Sequence, residues 1–363
     1  MVTEGTALRL ALVGDIALGD HPKTPGFGFY SRYGKEIPGY LANRVLPSGV
    51  FPDIVFGNLE FALAAERENL GDDRCCLGTV SYIPFLRKAG FTVLNVANNH
   101  SWEYGAQSFA KTVRSLKNAG IKVVGVPDDF DPAGFLRING RLVAVLGCSA
   151  RPRQGFTAPP GYNEFEYGWF LKRIRDARRR ADLVCVSIHW GDEFLTIPGP
   201  REREAGRAMI DAGADVVIGH HPHVLREVET YRNGIIAYSL GNFIGDMTWN
   251  PLTRETGCLV VEAGGPGGCV GTFFPALIDL DYFPRYLDEA GSRRFLDAQI
   301  ERDARLTKDL KVSGYEFLVR KALKRHQYLT LGFVMRNFFR YRAATLGRIV
   351  SHAIRVRLQR STD

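Results

Sequence analysis

Short aliphatic runs alternate along the chain with segments whose apolar positions recur every three or four residues. Buried strands are expected at 7–14, 53–58, 91–97, 121–126, 141–148, 182–190, 214–220 and 234–241. Helices are expected between several of them, at 81–90, 108–120, 170–181 and 201–213. Three of these close on Gly90, Gly120 and Gly213 just before the next strand, as helix–strand units do. The alternation predicts an α/β fold with parallel crossovers. After Arg254 the pattern changes. Residues 256–280 read as two strands joined by a Gly-rich hairpin turn, and from about Phe283 the chain reads as helical. Near the end, Leu346, Ile349, Val350, Ala353, Ile354 and Leu358 recur at helical spacing with arginines between them, the pattern of a basic amphipathic helix. Segments 21–50, 151–168 and 245–256 fit no element. Loops of that length are usually functional or disordered, and their aromatics argue against disorder.

The 363 residues allow one large domain with an appendage, or two domains. A hydrophobic fraction of 45% and a charged fraction of 24% are those of a soluble globular protein. Six cysteines form no CxxC pair, which fits a reducing compartment and leads us to expect a cytoplasmic protein. The first twenty residues lack a basic start and read as a core strand, not a signal peptide. No stretch approaches the roughly 20 apolar residues of a membrane span. The net charge of +8 is unevenly placed. From Ser313 onward eleven basic residues face two acids, so the first 312 residues sum to about −1. That tail admits peripheral contact with a membrane. The bland alternative, an apolar stripe packed on the body with arginines facing water, is the simpler one. No recognised nucleic-acid motif accompanies the charge, and no nucleic-acid partner is expected.

The chemistry collects where the strands end. Asp15, then Asn58 and Glu60, then Asn98, Asn99 and His100, follow the first three expected strands. His189, Trp190 and Gly191, then His220, His221 and His223, then Asn242, follow three later ones. Strand C-termini of a parallel sheet share an edge, and ligands bind there. Taken singly, each residue is an ordinary cap, turn or packed side chain. Jointly, imidazole, carboxylate and amide oxygen make a ligand set for Zn, Mn, Fe, Co or Ca, one ion or two, without the thiolates of a closed structural zinc site.

These motifs resemble the CapA family, the poly-γ-glutamate capsule biosynthesis proteins within the calcineurin-like metallophosphoesterase superfamily. The matching residues are Gly14-Asp15, Asn58-Leu59-Glu60, Ala97 to His100 followed by Tyr104-Gly105, His189-Trp190-Gly191 with Glu193, Gly219 with His221-Pro222-His223, and Tyr238 to Phe243. The resemblance implies a four-layer αββα sandwich over 1–282, carrying catalysis, and a basic, mostly helical extension over 283–363. It implies that Asp15 and His223 serve one metal, that Glu60 bridges, and that Asn99, His189 and His221 serve a second. His100 becomes the candidate general acid. Asn58, Asn98, Trp190, Glu193 and Asn242 become candidate substrate contacts, and His220 a supporting residue. The superfamily's D-x-H opening reads Asp15-Ile16-Ala17 here, so one usual histidine is missing, with Asp20 or His21 as substitutes. Arg226-Glu227 stands where a glutamine often follows His-Pro-His.

The resemblance implies a metal-dependent hydrolase of a phosphoester, peptide or polyglutamate-like anion. The alternatives are a metal-dependent peptide epimerase, and a membrane-surface or anion-binding protein of capsule assembly with little catalysis.

Overall fold

The computed structural model describes residues 7–64, 75–127, 134–151, 159–265, 268–343 and 347. The apolar stripe between Leu346 and Leu358 lies outside them. In chain order the strands are β1 (Leu8–Ile16), β2 (Ile54–Leu59), β3 (Ala62–Ala64), β4 (Leu77–Thr79), β5 (Val93–Asn95), β6 (Lys122–Val124), β7 (Phe135–Ile138), β8 (Arg141–Ser149), β9 (Leu183–His189), β10 (Val216–His220), β11 (Val228–Tyr231), β12 (Gly234–Ala237), β13 (Asn242–Ile244), β14 (Glu255–Gly265), β15 (Gly268–Ile278) and β16 (Pro284–Tyr286). The helices are α1 (Phe29–Tyr33), α2 (Ile83–Lys88), α3 (Gly105–Asn118), α4 (Tyr167–Arg178), α5 (Pro200–Asp211), α6 (Pro251–Arg254), α7 (Glu289–Ser313) and α8 (Tyr315–Arg336).

Two sheets pack face to face. The larger runs β16-β15-β14-β1-β2-β5-β6, with β13 also paired to β1; the smaller runs β11-β12-β10-β9-β8-β7. Each has a parallel centre, β1-β2-β5-β6 in one and β8-β9-β10-β12 in the other, and antiparallel strands outside it. Strands buried on both faces read as unbroken aliphatic runs, which is why their sequences do not alternate. Leu10, Leu12, Ile54 and Phe56 of one sheet meet Val143, Val145, Val216 and Ile218 of the other in a dry central layer. The outer face of the larger sheet carries α2, α3 and the segment around Phe29 and Leu41. That of the smaller carries Phe170 and Ile174 of α4 and Met209 and Ile210 of α5. The result is the expected αββα sandwich. Gly90, Gly120 and Gly213 all take positive φ past their helices, which a Cβ would resist.

The expected strand 234–241 is instead two. β12 ends at Ala237 in the smaller sheet, and the chain then crosses to the larger one, where β13 pairs with β1. Gly241, at φ 68°, makes the crossing. The segment 21–50 is ordered and contains α1 and a 3-10 helix over Gly39–Arg44. The larger sheet runs on to Tyr286, after which α7 and α8 follow. Leu318 and Val319 of α8 are buried against Leu195 and Ile197.

A Cβ on Gly14 would lie 2.0 Å from the Gly241 carbonyl oxygen, a backbone atom that cannot swing away. Gly14→Ala should therefore cost roughly 1–3 kcal/mol, as overpacking a tight core does. Chemical denaturation checks this, and an unchanged midpoint would remove the crossing as a constraint.

Candidate metal centre

The crossing brings the two parallel centres to one rim. Asp15 is the next-to-last residue of β1, Asn58 lies in β2, and Glu60 directly follows that strand. Asn98 to His100 follow β5, His189 ends β9, and His220 to His223 follow the core of β10. Asp15 N–H donates to the Gly241 carbonyl at 2.9 Å. Its carboxylate accepts from Asn58 Nδ2 at 2.8 Å and from the backbone N–H of His221 at 3.1 Å. One oxygen also lies 3.2 Å from His220 Nδ1. Burial alone would raise the Asp15 pKa. The contact with His220 and the charges of His220, His189 and His223 outweigh it and hold the carboxyl well below its ordinary range.

Asp15, Glu60 and His223 bring one donor atom each within 4.8 Å of one another, and Glu193, His221 and His223 form a second such group. Asn99 Oδ1 lies 2.7 Å from His189 Nε2, which lies 3.2 Å from His221 Nδ1. Glu60 sits 3.6 Å from His223 Nε2, on the Asp15 side. Burial pushes the pKa of Glu60 well up, and the Asp15 charge adds to that. Burial pushes His189 and His221 well down, with neighbouring histidines adding to it, so both are neutral imidazoles, the form that ligates.

The donor set fits a divalent ion. Glu60 Oε1 and His221 Nε2, both able to offer a lone pair, are buried without a hydrogen-bond partner, where almost all buried polar atoms are paired. Carboxylate, imidazole and amide suit Mn²⁺, Fe, Co or Zn²⁺. His221 and His223 take φ of 96° and 58°, conformations rare outside glycine. Strain of this kind persists at sites whose surroundings enforce it.

Four of the expected substrate contacts have their polar atoms engaged within the protein. Asn58 is buried and spends its amide on Asp15 and on Asn95, whose Nδ2 donates to it at 3.0 Å. Asn98 is buried and caps the turn, accepting from His100 and Ser101. Trp190 is buried against Tyr238, and its indole donates to the Tyr238 carbonyl at 3.0 Å. Asn242 is buried too; its Oδ1 holds His223 Nδ1 at 2.9 Å while its Nδ2 donates to Thr253. Glu193 is partly exposed, and its Oε1 lies 3.9 Å from His221 Nε2. Asp20 and His21 are in neither of these donor groups. Asp20 accepts from Gly26 and Ser31, and His21 Nδ1 accepts from Lys23 N–H.

Several supports were not foreseen. Arg226 is fully buried, pairs with Glu202, and donates to the carbonyls of Leu195 at 2.9 Å and Asp192 at 2.7 Å. It clamps the 191–195 loop from the position where a glutamine was the family's habit. Phe194, at φ 66°, stacks 6.0 Å from His223 on one side and 3.6 Å from His326 of α8 on the other. His326 is fixed in turn by Asn250 at 3.1 Å and Thr330 at 3.2 Å. Nothing in the local sequence distinguishes His326 from a surface histidine. Only its position on the folded helix does.

The family described as "Bacterial capsule synthesis protein PGA_cap" matches residues 9–247, which include every donor named above. The chain belongs to this family. It is 37% identical over 68% of its length to capsule biosynthesis protein CapA of Bacillus anthracis, covering 62% of that protein. It is 36% identical over 56% of its length to PGA biosynthesis protein CapA of Bacillus subtilis, also covering 56% of it. The chain thus spans about three fifths of the curated relatives it matches. Among solved structures it aligns loosely with a 5'-nucleotidase from Candida albicans, at a TM-score of 0.42, 11% identity and 77% of this chain against 53% of that one. The support from Asn250 and α8 lies beyond the family match.

Protein incubated with Mn²⁺ or Zn²⁺ and desalted should retain about one or two equivalents by elemental analysis, as expected of this donor set. His221→Ala and Asp15→Ala should lose it with their circular dichroism intact. Asn242→Ala keeps the donors but frees the His223 ring, and should bind roughly 10–100-fold more weakly. Equal retention in all three variants would place the ion elsewhere.

Proposed function

We propose that this chain is a metal-dependent hydrolase of an anionic substrate, most simply a phosphoester, serving capsule-polymer synthesis. The observation that carries the reading is the meeting of Asp15, Glu60, Glu193, His221 and His223 around donor atoms that the protein leaves unpartnered. The capsule role is supported by the names of the relatives. A divalent ion bound there would lower the pKa of a water and polarise the scissile group.

The chain's own residues do the rest. Asp15 and Glu60 from one sheet face His221 and His223 from the other, so both sheets fix the reacting geometry. His100 holds the proton for the leaving group. Its Nδ1 lies 2.7 Å from Glu103 Oε1, which leaves Nε2 to hand the proton over. Burial disfavours its charged form, but the Glu103 hydrogen bond and the Glu60 charge outweigh that and raise its pKa. The ring stands edge-on to Phe61 at 5.5 Å, which fixes its tilt. Asn98 accepts from the His100 N–H at 3.1 Å and sets the turn that aims it.

The relatives' names favour a second reading of the same machinery, in which the scissile bond is an amide of a polyglutamate-type polymer. Neither those names nor the geometry favours epimerisation, and neither bears on a cytoplasmic location. Among the described residues no helix is long and apolar enough to cross a membrane.

Turnover of p-nitrophenyl phosphate, its bis-ester and poly-γ-glutamate by the Mn²⁺-loaded protein separates the two readings. His100→Ala should keep its metal and lose about 10²–10⁴-fold in rate, the usual share of a general acid. Full activity in the variant removes His100 from that role. No turnover of either class by the loaded wild type overturns the hydrolase reading.

A further inference from the structure

The outer face of α8 and the turn after it are at odds with a helix that merely packs on the body. Tyr328, Leu331, Met335, Phe338 and Phe339 are 64%, 56%, 66%, 62% and 73% exposed. Their spacing, three and four apart from Tyr328 to Phe338, puts them along one side of the helix. The opposite side holds Leu318, Val319, His326 and Thr330 against the body. A contiguous exposed apolar strip on a monomer marks an interaction surface.

Charge identifies the partner. Between Phe317 and Ala343 there are seven basic residues, Arg320, Lys321, Lys324, Arg325, Arg336, Arg340 and Arg342, and no acid. Lys321 reaches Asp309 of α7 only at 3.9 Å, with both side chains exposed. Arg340 lies over the Phe27 ring at 4.2 Å, which leaves its charge uncompensated. A second copy of this face would bring seven cations against seven. The chain's own remaining residues, 344–363, add four arginines and one acid, so they repel it as well.

We propose that this face docks on an anionic lipid bilayer, with Leu331, Met335, Phe338 and Phe339 entering the interface and the flanking lysines and arginines meeting lipid phosphates. Basic residues beside interfacial aromatics bind in this way, and each cation near the surface adds to the affinity. The proposal is independent of the hydrolase reading. The same helix touches the metal rim through His326, so the docked face and the site share one element.

The full chain is the material to test, since Leu318 and Val319 are buried and removing α8 would open the body. Co-sedimentation with phosphatidylcholine vesicles, with and without phosphatidylglycerol, reads the binding. The wild type should pellet with the anionic vesicles alone and be released by high salt. Phe338→Ser with Phe339→Ser, and separately Lys321→Glu with Lys324→Glu, should each weaken binding about tenfold or more. All four positions are exposed, so the melting temperatures should hold. No pelleting of the wild type, or unchanged binding in both variants, overturns the proposal. A dimer in sedimentation velocity that the double serine variant dissolves would overturn it in favour of a second copy.

Discussion

The hydrogen bond from Asp15 N–H to the Gly241 carbonyl is the contact on which the site depends. It joins the end of β1 to the chain where that chain passes from one sheet to the other. Two sheets packed face to face meet mainly across a greasy layer, and such a layer fixes spacing better than register. The crossing fixes register. It needs glycine at 241 for the backbone angle and glycine at 14 because the backbones approach too closely for a Cβ. With both in place, Asp15 of one sheet comes within hydrogen-bonding distance of the His221 backbone of the other.

The loops that carry the imidazoles are held in conformations they would not adopt alone. Phe194, His221 and His223 all have positive φ, each costing of order 1–3 kcal/mol. The neighbours that hold them are specific. Arg226, fully buried and paired with Glu202 of α5, reaches two points on one loop, the carbonyls of Leu195 and Asp192. A buried ion pair of this kind contributes little net stability but is costly to break, because a lone charge is left inside. That suits a part whose task is to fix shape. His326 does the same from the far side with its ring.

Much of this was legible in the sequence because parallel strands covered on both faces must be aliphatic throughout, and their ends must change character abruptly. Asp15, Glu60, Asn99, His189, His221 and His223 all announce themselves in that way. Four other residues show what the sequence could not say. Asn58, Asn98, Trp190 and Asn242 also stand at strand ends, but whether a polar side chain there faces a ligand or a neighbour depends on which donors and acceptors the fold puts beside it. The split of 234–241 was hidden because a crossing strand and a continuing one are equally aliphatic, and a lone Gly241 reads as an ordinary end. The short edge strands β3, β4, β7, β11 and β16 have too few residues for a period to show. His326 and Arg226 were out of reach, since their roles come from elements far away in the chain.

The electrostatics of the cluster have a direction. Asp15 is held ionised, and its charge, with burial, presses Glu60 toward its protonated form. Burial keeps His189 and His221 neutral, so they offer lone pairs and no compensating charge. A pocket built only for stability would put an arginine there, as the fold does for Glu202 a few residues away. Instead the carboxylates face imidazoles across a gap of 3.6–3.9 Å, and Glu60 Oε1 and His221 Nε2 reach no hydrogen-bond partner. A divalent cation would satisfy all of these at once: it would let Glu60 ionise beside Asp15, take the neutral imidazoles as they stand, and pair the orphaned atoms. A proton on Glu60 would meet only the first need.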